Sequence, residues 1–514
     1  MTARSRFGLA FMLAVATAAC QGKSGSSGDG GESTGGQGAL GEGGSASGGS
    51  PGTGGETGGA NGAGGRSSSG TGGTGGTSAT GAGGATGSGG SGTGGGAGRS
   101  GTGGSGTGGS GAAGAAGSCI GSSMLSKLGK NRLLVGVSTS DAAAAMAPFD
   151  LRYIYISGGL FDSPTPCTAC GSACTAAGNV CTNGCAWWGC YNTPPGMYAG
   201  YFIQAAAKPS PAQVPMFTYY EILQTAQSTF TNFAEGTAEV TQAAASAPLM
   251  TRYYADWRFL LQQIGQNKAL LHIEPDFWGY ARQAGSPTAL AAAVASANPT
   301  DCGSLPNTIA GMGQCLISMV RTYAPNALVG LSSSDWNIAS NTNKSVDVTT
   351  DAKAVAAFLA ACGQSGADFV VVETSDRDAG YYQIVKGTNS WWDATDTTLP
   401  DYAQDLAWVK ALTEALGTPA LYWQTPVGNA SQNNTADHYQ DNRVDYFFGG
   451  SAAGVESAAA TTVPAHWSAL AAAHVIGVAF GAGEGTQTTP ETDGGYLVSK
   501  TKAYVSVGGQ ALCQ

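Results

Sequence analysis

Charge is scarce in this chain of 514 residues, which holds 23 Lys and Arg against 33 Asp and Glu. The net charge of −10 leaves no basic stripe to meet phosphate, so nucleic acid and anionic lipid headgroups are poor partners. Histidine is rarer still: His272, His438, His466 and His474 are the only ones. They form neither His-x-His nor His-Glu-x-x-His, which argues against a catalytic zinc, and no bound metal or cofactor is expected. The region from 119 onward lacks a Gly-x-Ser-x-Gly elbow, a phosphate-binding loop, and a Gly-x-Gly-x-x-Gly after its first apolar run. Those absences weigh against hydrolases of the Ser-His-Asp kind, nucleotide hydrolases and dinucleotide enzymes. After Phe7–Ala16, itself short, no apolar run is long enough for a membrane helix.

What is abundant is glycine, 83 residues, concentrated between 21 and 118 with Ser, Thr and Ala. Such a stretch buries almost nothing and cannot offset its conformational entropy, so it reads as a disordered tether. As a flexible coil it would span roughly 50–60 Å. Ahead of it, Arg4 and Arg6 precede the apolar run, and Thr17-Ala18-Ala19-Cys20 follows. That string resembles the lipobox of bacterial lipoproteins. The resemblance implies a signal peptide over 1–20, a lipidated Cys20, and, with Gln21 next, an exported chain held at the outer membrane or cell surface. Contact with a membrane would then run only through the lipid. The alternative is a secretory signal that is simply cleaved.

The twelve cysteines suit an oxidising compartment. Cys119 and Cys513 bracket the apolar-rich region 119–514 and are expected to pair; Cys302 and Cys315 form a local pair. Cys167, Cys170, Cys174, Cys181, Cys185 and Cys190 crowd one segment, and disulfides are the expected reading there. A zinc knuckle is the rival, because Cys167 and Cys170 have metal-like spacing. Cys362 is left as a buried free thiol.

Within 119–514, short apolar runs alternate with helical stretches. Strands are predicted at 132–137, 151–156, 214–219, 269–273, 327–331, 369–372, 420–423 and 475–480. Each is nearly continuous in apolar residues, as parallel strands covered on both faces are. Helices are predicted at 253–264, 308–323, 352–361, 402–416 and 466–473. Eight such units read as an α/β chain folded into a (β/α)8 barrel, with the cysteine-rich loop inserted after the second strand. A doubly wound open sheet is the competing architecture.

In a barrel the residues closing the strands carry the chemistry. The fourth run ends His272-Ile273-Glu274-Pro275-Asp276-Phe277-Trp278, and strict alternation would place His272 and Glu274 together on the interior face. The fifth leads to Asp335 and Trp336, the sixth to Glu373, Asp376, Arg377 and Asp378, and the seventh to Trp423 and Gln424. Trp188 rides on the cysteine-rich loop. Carboxylates mixed with indole rings are what cleavage of a sugar linkage needs. One carboxyl gives a proton, the other stays ionised, and the rings stack on sugar faces. Glu274 and Glu373 are the expected catalytic pair. Asp276, Trp278, Asp335, Trp336, Asp376, Asp378, Trp423, Gln424 and Trp188 are the expected contacts to a polysaccharide or oligosaccharide. His272 reads as core, Arg377 as the partner of Asp376 or Asp378, and Glu221 as the start of a helix.

Glu274 closing the fourth strand resembles the acid/base of the large barrel clan of retaining glycoside hydrolases. In that clan a nucleophilic Glu follows the seventh strand, where this chain has Gln424, and an Asn precedes the acid/base, where it has Ile273. Glu274-Pro275-Asp276 and Asp376-Arg377-Asp378 are also similar to fragments of family 6 cellulases, in reversed order along the chain. The resemblance is therefore one of superfamily, over about 130 to 490. It implies a carbohydrate-active barrel, and Gln424 keeps open a domain that binds glycans without cleaving them.

Overall fold

The structure, a computed structural model, describes residues 119–157, 188, 196–333, 343–435, 438–449, 463–481 and 487–513. The expected signal and tether, Cys20, the six cysteines between 167 and 190, Asp335 and Trp336 lie outside the described residues.

Eight strands close into one parallel barrel in sequence order. They are β1 (Leu134–Val137), β2 (Leu151–Ser157), β3 (Val214–Tyr220), β4 (Leu270–Ile273), β5 (Leu328–Ser332), β6 (Phe369–Glu373), β7 (Ala420–Thr425) and β8 (Val475–Phe480). β8 pairs with β1 through Leu134 opposite Gly477, so no edge remains and the open-sheet alternative is excluded. Nearly all strand residues are buried, because helices cover the outer face and side chains fill the inside. β1 begins later than its apolar run because the Leu133 N–H turns away from the ladder to Gln510 O, at 2.7 Å.

Local chemistry sets the helix limits. Helix Tyr402–Leu416 starts where the Asp401 carboxylate accepts the Gln404 N–H at 2.8 Å. It stops at Gly417, whose φ of 66° is cheap only for glycine. Between them Tyr402, Asp405, Trp408, Val409 and Leu412 recur at helical spacing and face the barrel wall. Emptying one such site, Leu412→Ala, would cost about 2–5 kcal/mol.

The opposite pole of the barrel is closed by the two ends of the described domain. Helix Ser122–Leu128 enters through Gly121, at φ 93°. A side chain there would meet Ile476 and Pro419, next to the starts of β8 and β7, at 2.9 Å. Cys119 is joined to Cys513, with Cα atoms 6.1 Å apart, and Cys302 is joined to Cys315. Cys362 is a buried free thiol, pushed up to about 12 by burial.

Candidate functional site

Polar side chains gather at the C-terminal mouth of the barrel, in two adjoining groups. The first forms around Tyr155. Alternation along β2 turns Tyr153 and Tyr155 inward, and both rings pack on Trp423 of β7, at 6.1 and 5.6 Å between centroids. The Tyr155 hydroxyl donates to Gln424 Oε1, and Gln424 Nε2 donates to Glu373 Oε1 at 3.1 Å. Burial holds the Tyr155 hydroxyl well above its ordinary range; the charges of Tyr153, Glu373, Asp276 and Asp376 add to the effect. Asp376 in turn accepts from Arg377 and from the Tyr382 hydroxyl.

Below this group His272 is wholly buried, its ring 4.6 Å from Trp423 and its Nδ1 3.4 Å from Thr218 Oγ1. Burial pushes it down to about 3, so it is a neutral layer of the barrel core, as expected.

The second group surrounds Glu274, and here simple alternation fails. Glu274 has a φ of 49°, a left-handed conformation rare outside glycine, which swings its side chain out of the β4 alternation. Its Oε1 accepts the Glu221 N–H (3.0 Å), the Ile222 N–H (3.3 Å) and the Tyr253 hydroxyl (2.9 Å). It therefore caps helix Ile222–Thr229, with Glu221 at the N-cap position. The residue has no exposed surface. Burial raises its carboxyl to about 8 against the pull of those three donors. Glu274 was expected to be the acid/base. Its reach is directed instead at the β3 unit, and Asp276, half-buried at the N-cap of helix Phe277–Ala284, is the β4 carboxylate that acts on Tyr155.

Trp278, Trp188, Asp378 and Trp423, all expected sugar contacts, are buried. Trp278 is 1% exposed and its indole N–H donates to Ile273 O at 2.9 Å, because the helix begun at Phe277 turns that face inward. Trp188 is wholly buried; its ring lies 5.3 Å from Phe259 and its N–H reaches Asp256 at 3.3 Å. Asp378 is also without exposed surface. It ties loops together, accepting the Gly428 N–H and the Thr488 N–H, each at 2.9 Å. Burial first, then neighbouring Asp441, pushes Asp378 up. Trp423 is buried beneath the mouth, so its role is to seat the two tyrosines.

Reading the sequence missed Tyr155, Tyr153 and Tyr253. For the first two the signal was present, since Tyr153-Ile154-Tyr155 alternates at the end of a strand. Tyr253 lies on a helix far along the chain, and nothing local marks it. Among the described residues no group of His, Cys, Asp or Glu is arranged to hold a metal ion.

No family model and no curated protein matches this chain. Among solved structures it is similar to the endoglucanase Cel6 of Mycobacterium tuberculosis in complex with a thio-cellobioside (12% identity, 60% of this chain and 81% of that one, TM-score 0.28). It is also similar to the GH53 catalytic domain of Ignisphaera aggregans (10% identity, 73% and 96% covered, TM-score 0.37). A third is the endo-β-1,4-mannanase of Thermotoga petrophila (10% identity, 74% and 78% covered, TM-score 0.39).

Proposed function

We propose that the barrel hydrolyses glycosidic bonds, with Asp276 and Glu373 as its working carboxylates. The observation that supports this most is the hydrogen-bonded run from the Tyr155 hydroxyl through Gln424 to Glu373 at the barrel mouth, where the charges of Asp276 and Asp376 also raise the Tyr155 hydroxyl. Glu373 takes the ionised role, because its Oε1 already accepts the Gln424 amide proton, a bond the carboxylate form strengthens. Asp276, half-buried at its loop, takes the acid role and protonates the leaving oxygen. Glu274 supports both from behind, fixing the β3 and β4 loops against each other.

Export and lipid anchoring at Cys20 belong to the same proposal. The Thr17-Ala18-Ala19-Cys20 string supports them, and so does the Cys119–Cys513 disulfide, since such bonds persist where the surroundings are oxidising. No helix among the described residues is long and apolar enough to cross a membrane.

The deciding test is turnover of a polysaccharide panel by the purified chain and by Asp276→Asn and Glu373→Gln. Each variant is expected to fold and to lose about 10²–10⁴ in rate. Variants as active as the parent would end this assignment. A second reading, glycan binding without cleavage, draws on Gln424, an amide closing β7 where a second acidic group would serve an enzyme. Binding across the panel with no turnover by the parent would favour it.

A further inference from the structure

Beside Asp276 lie more carboxyl groups than a pair of working carboxylates requires. The loop after helix Ile222–Thr229 brings Glu235 to Tyr280, whose hydroxyl donates to Glu235 Oε1 at 2.7 Å. Glu239 follows, wholly buried, with Oε1 accepting the Gly236 N–H at 2.9 Å. Tyr220, at the end of β3, feels all of them: after burial, the strongest influences on its hydroxyl are Asp276, Glu235, Glu239 and Glu274. Phe230 and Phe233, stacked at 5.5 Å and partly exposed, stand on the same loop.

Two carboxyl oxygens in this group, Glu239 Oε2 and Glu274 Oε2, are buried and have no hydrogen-bond partner. Keeping such an oxygen open costs stability, and two in one place are not explained by the fold alone. Burial drives Glu239 up to about 9 and Glu274 to about 8, so both carboxyls stand ready to ionise when positive charge arrives.

Three cations among the described residues already have acidic partners. On the C-terminal face Arg377 pairs with Asp376, Lys344 with Asp401, and Arg443 with Asp441. A uronic or sulfated glycan would be repelled from such a mouth, and a neutral one would gain nothing from the surplus.

We propose that the substrate is a glycan bearing free amino groups, a deacetylated amino-sugar polymer, with an ammonium group held at Glu235 while the sugar lies along Tyr280 and Phe233 toward Asp276. Glu239 and Glu274 lend charge from behind. This inference rests on the carbohydrate reading above.

The test uses the full-length protein and glucosamine oligomers, their N-acetylated counterparts, β-1,4-linked glucose oligomers and a uronic acid oligomer, all of equal length. Calorimetry is expected to show the glucosamine oligomer binding at least about tenfold tighter than the others, an advantage that shrinks as salt is raised. Glu235→Gln, an exposed and uncatalytic change, should weaken that oligomer about two- to fivefold and leave the neutral ones alone. Equal binding of the neutral or N-acetylated oligomers, or equal weakening of all by Glu235→Gln, overturns the proposal. If a neutral glycan is cleaved and Asp276→Asn abolishes that cleavage, only the substrate class is wrong. If no oligomer of any charge binds, the carbohydrate reading falls with it.

Discussion

Gln424 bridges Tyr155 and Glu373: its carbonyl oxygen accepts from the phenol and its amide donates to the carboxylate at 3.1 Å. Gln424 does so from a left-handed φ of 56°, a conformation that costs about 1–3 kcal/mol for such a residue and is retained where a side chain must be aimed. Gln424→Met keeps the volume and removes both bonds. Losing a hydrogen bond to a charged group is expected to lower kcat about tenfold to a hundredfold, with a smaller change in KM. Steady-state kinetics beside a melting curve separates this from loss of fold.

Glu274 and Asp276 are two residues apart and are expected to behave oppositely. Glu274→Gln keeps the Oε1 acceptor that caps helix Ile222–Thr229, so the variant should fold and keep more than about a tenth of parental turnover. Asp276→Asn should lose at least about a hundredfold. Measured rates in the reverse order would return the acid role to Glu274.

The same buried carboxyl gives a pH signature. In the folded protein burial raises Glu274 to about 8, whereas unfolded it has the ordinary value of 4.5. Between those values the folded state holds a proton that the unfolded state has released, so stability falls as pH rises through this window. Glu239, raised to about 9, has the same sign. Melting temperatures from pH 5 to 9 should therefore drop less steeply in Glu274→Gln and Glu239→Gln than in the parent. Parallel curves for all three proteins would contradict the burial of these groups as protonated carboxyls.

Asp378 is expected to act on loops rather than on sugar. Its two oxygens hold Gly428, after β7, and Thr488, after β8. A Cβ on Gly428 would lie 2.3 Å from Tyr439 O, so the approach is open only to glycine. Asp378→Ala leaves both N–H groups unpaired, at about 1–3 kcal/mol each. Hydrogen exchange should quicken at the Gly428 and Thr488 amides while glycan affinity changes little.

Trp188 and the terminal disulfide are predicted to be matters of stability alone. Trp188→Ala empties a packed site against Phe259 and should cost about 3–5 kcal/mol without altering sugar affinity. Cys513→Ser opens a closure spanning 394 residues, worth at most about 5 kcal/mol in the chain-entropy account. Calorimetric melting of each variant checks both.

The eight strands were legible in the chain to within two residues at either end, and five helices were legible at their C-terminal ends, although those predicted from 253 and 352 begin at Ala247 and Val348. A parallel strand buried on both faces writes itself as a continuous apolar run, and helix ends carry local caps such as Asp401 and Gly417. The neutral core role of His272, the Arg377–Asp376 pair and Glu221 at a helix start were legible for the same reason, since each depends on near neighbours. The proposed site was only half legible. Which residues close the strands is a local matter, so Glu373, Gln424, Asp276 and Asp376 could be named from sequence. Where each side chain points is not local: one left-handed residue turned Glu274 from the barrel mouth to Tyr253 and a helix N-terminus, groups that lie 21 and 52 or more residues away along the chain. Trp278, Trp188 and Asp378 look like sugar contacts in sequence, because indoles and carboxylates serve a core or a loop tie as readily as a ligand. Tertiary packing alone decided among those uses, by choosing which faces water could still reach.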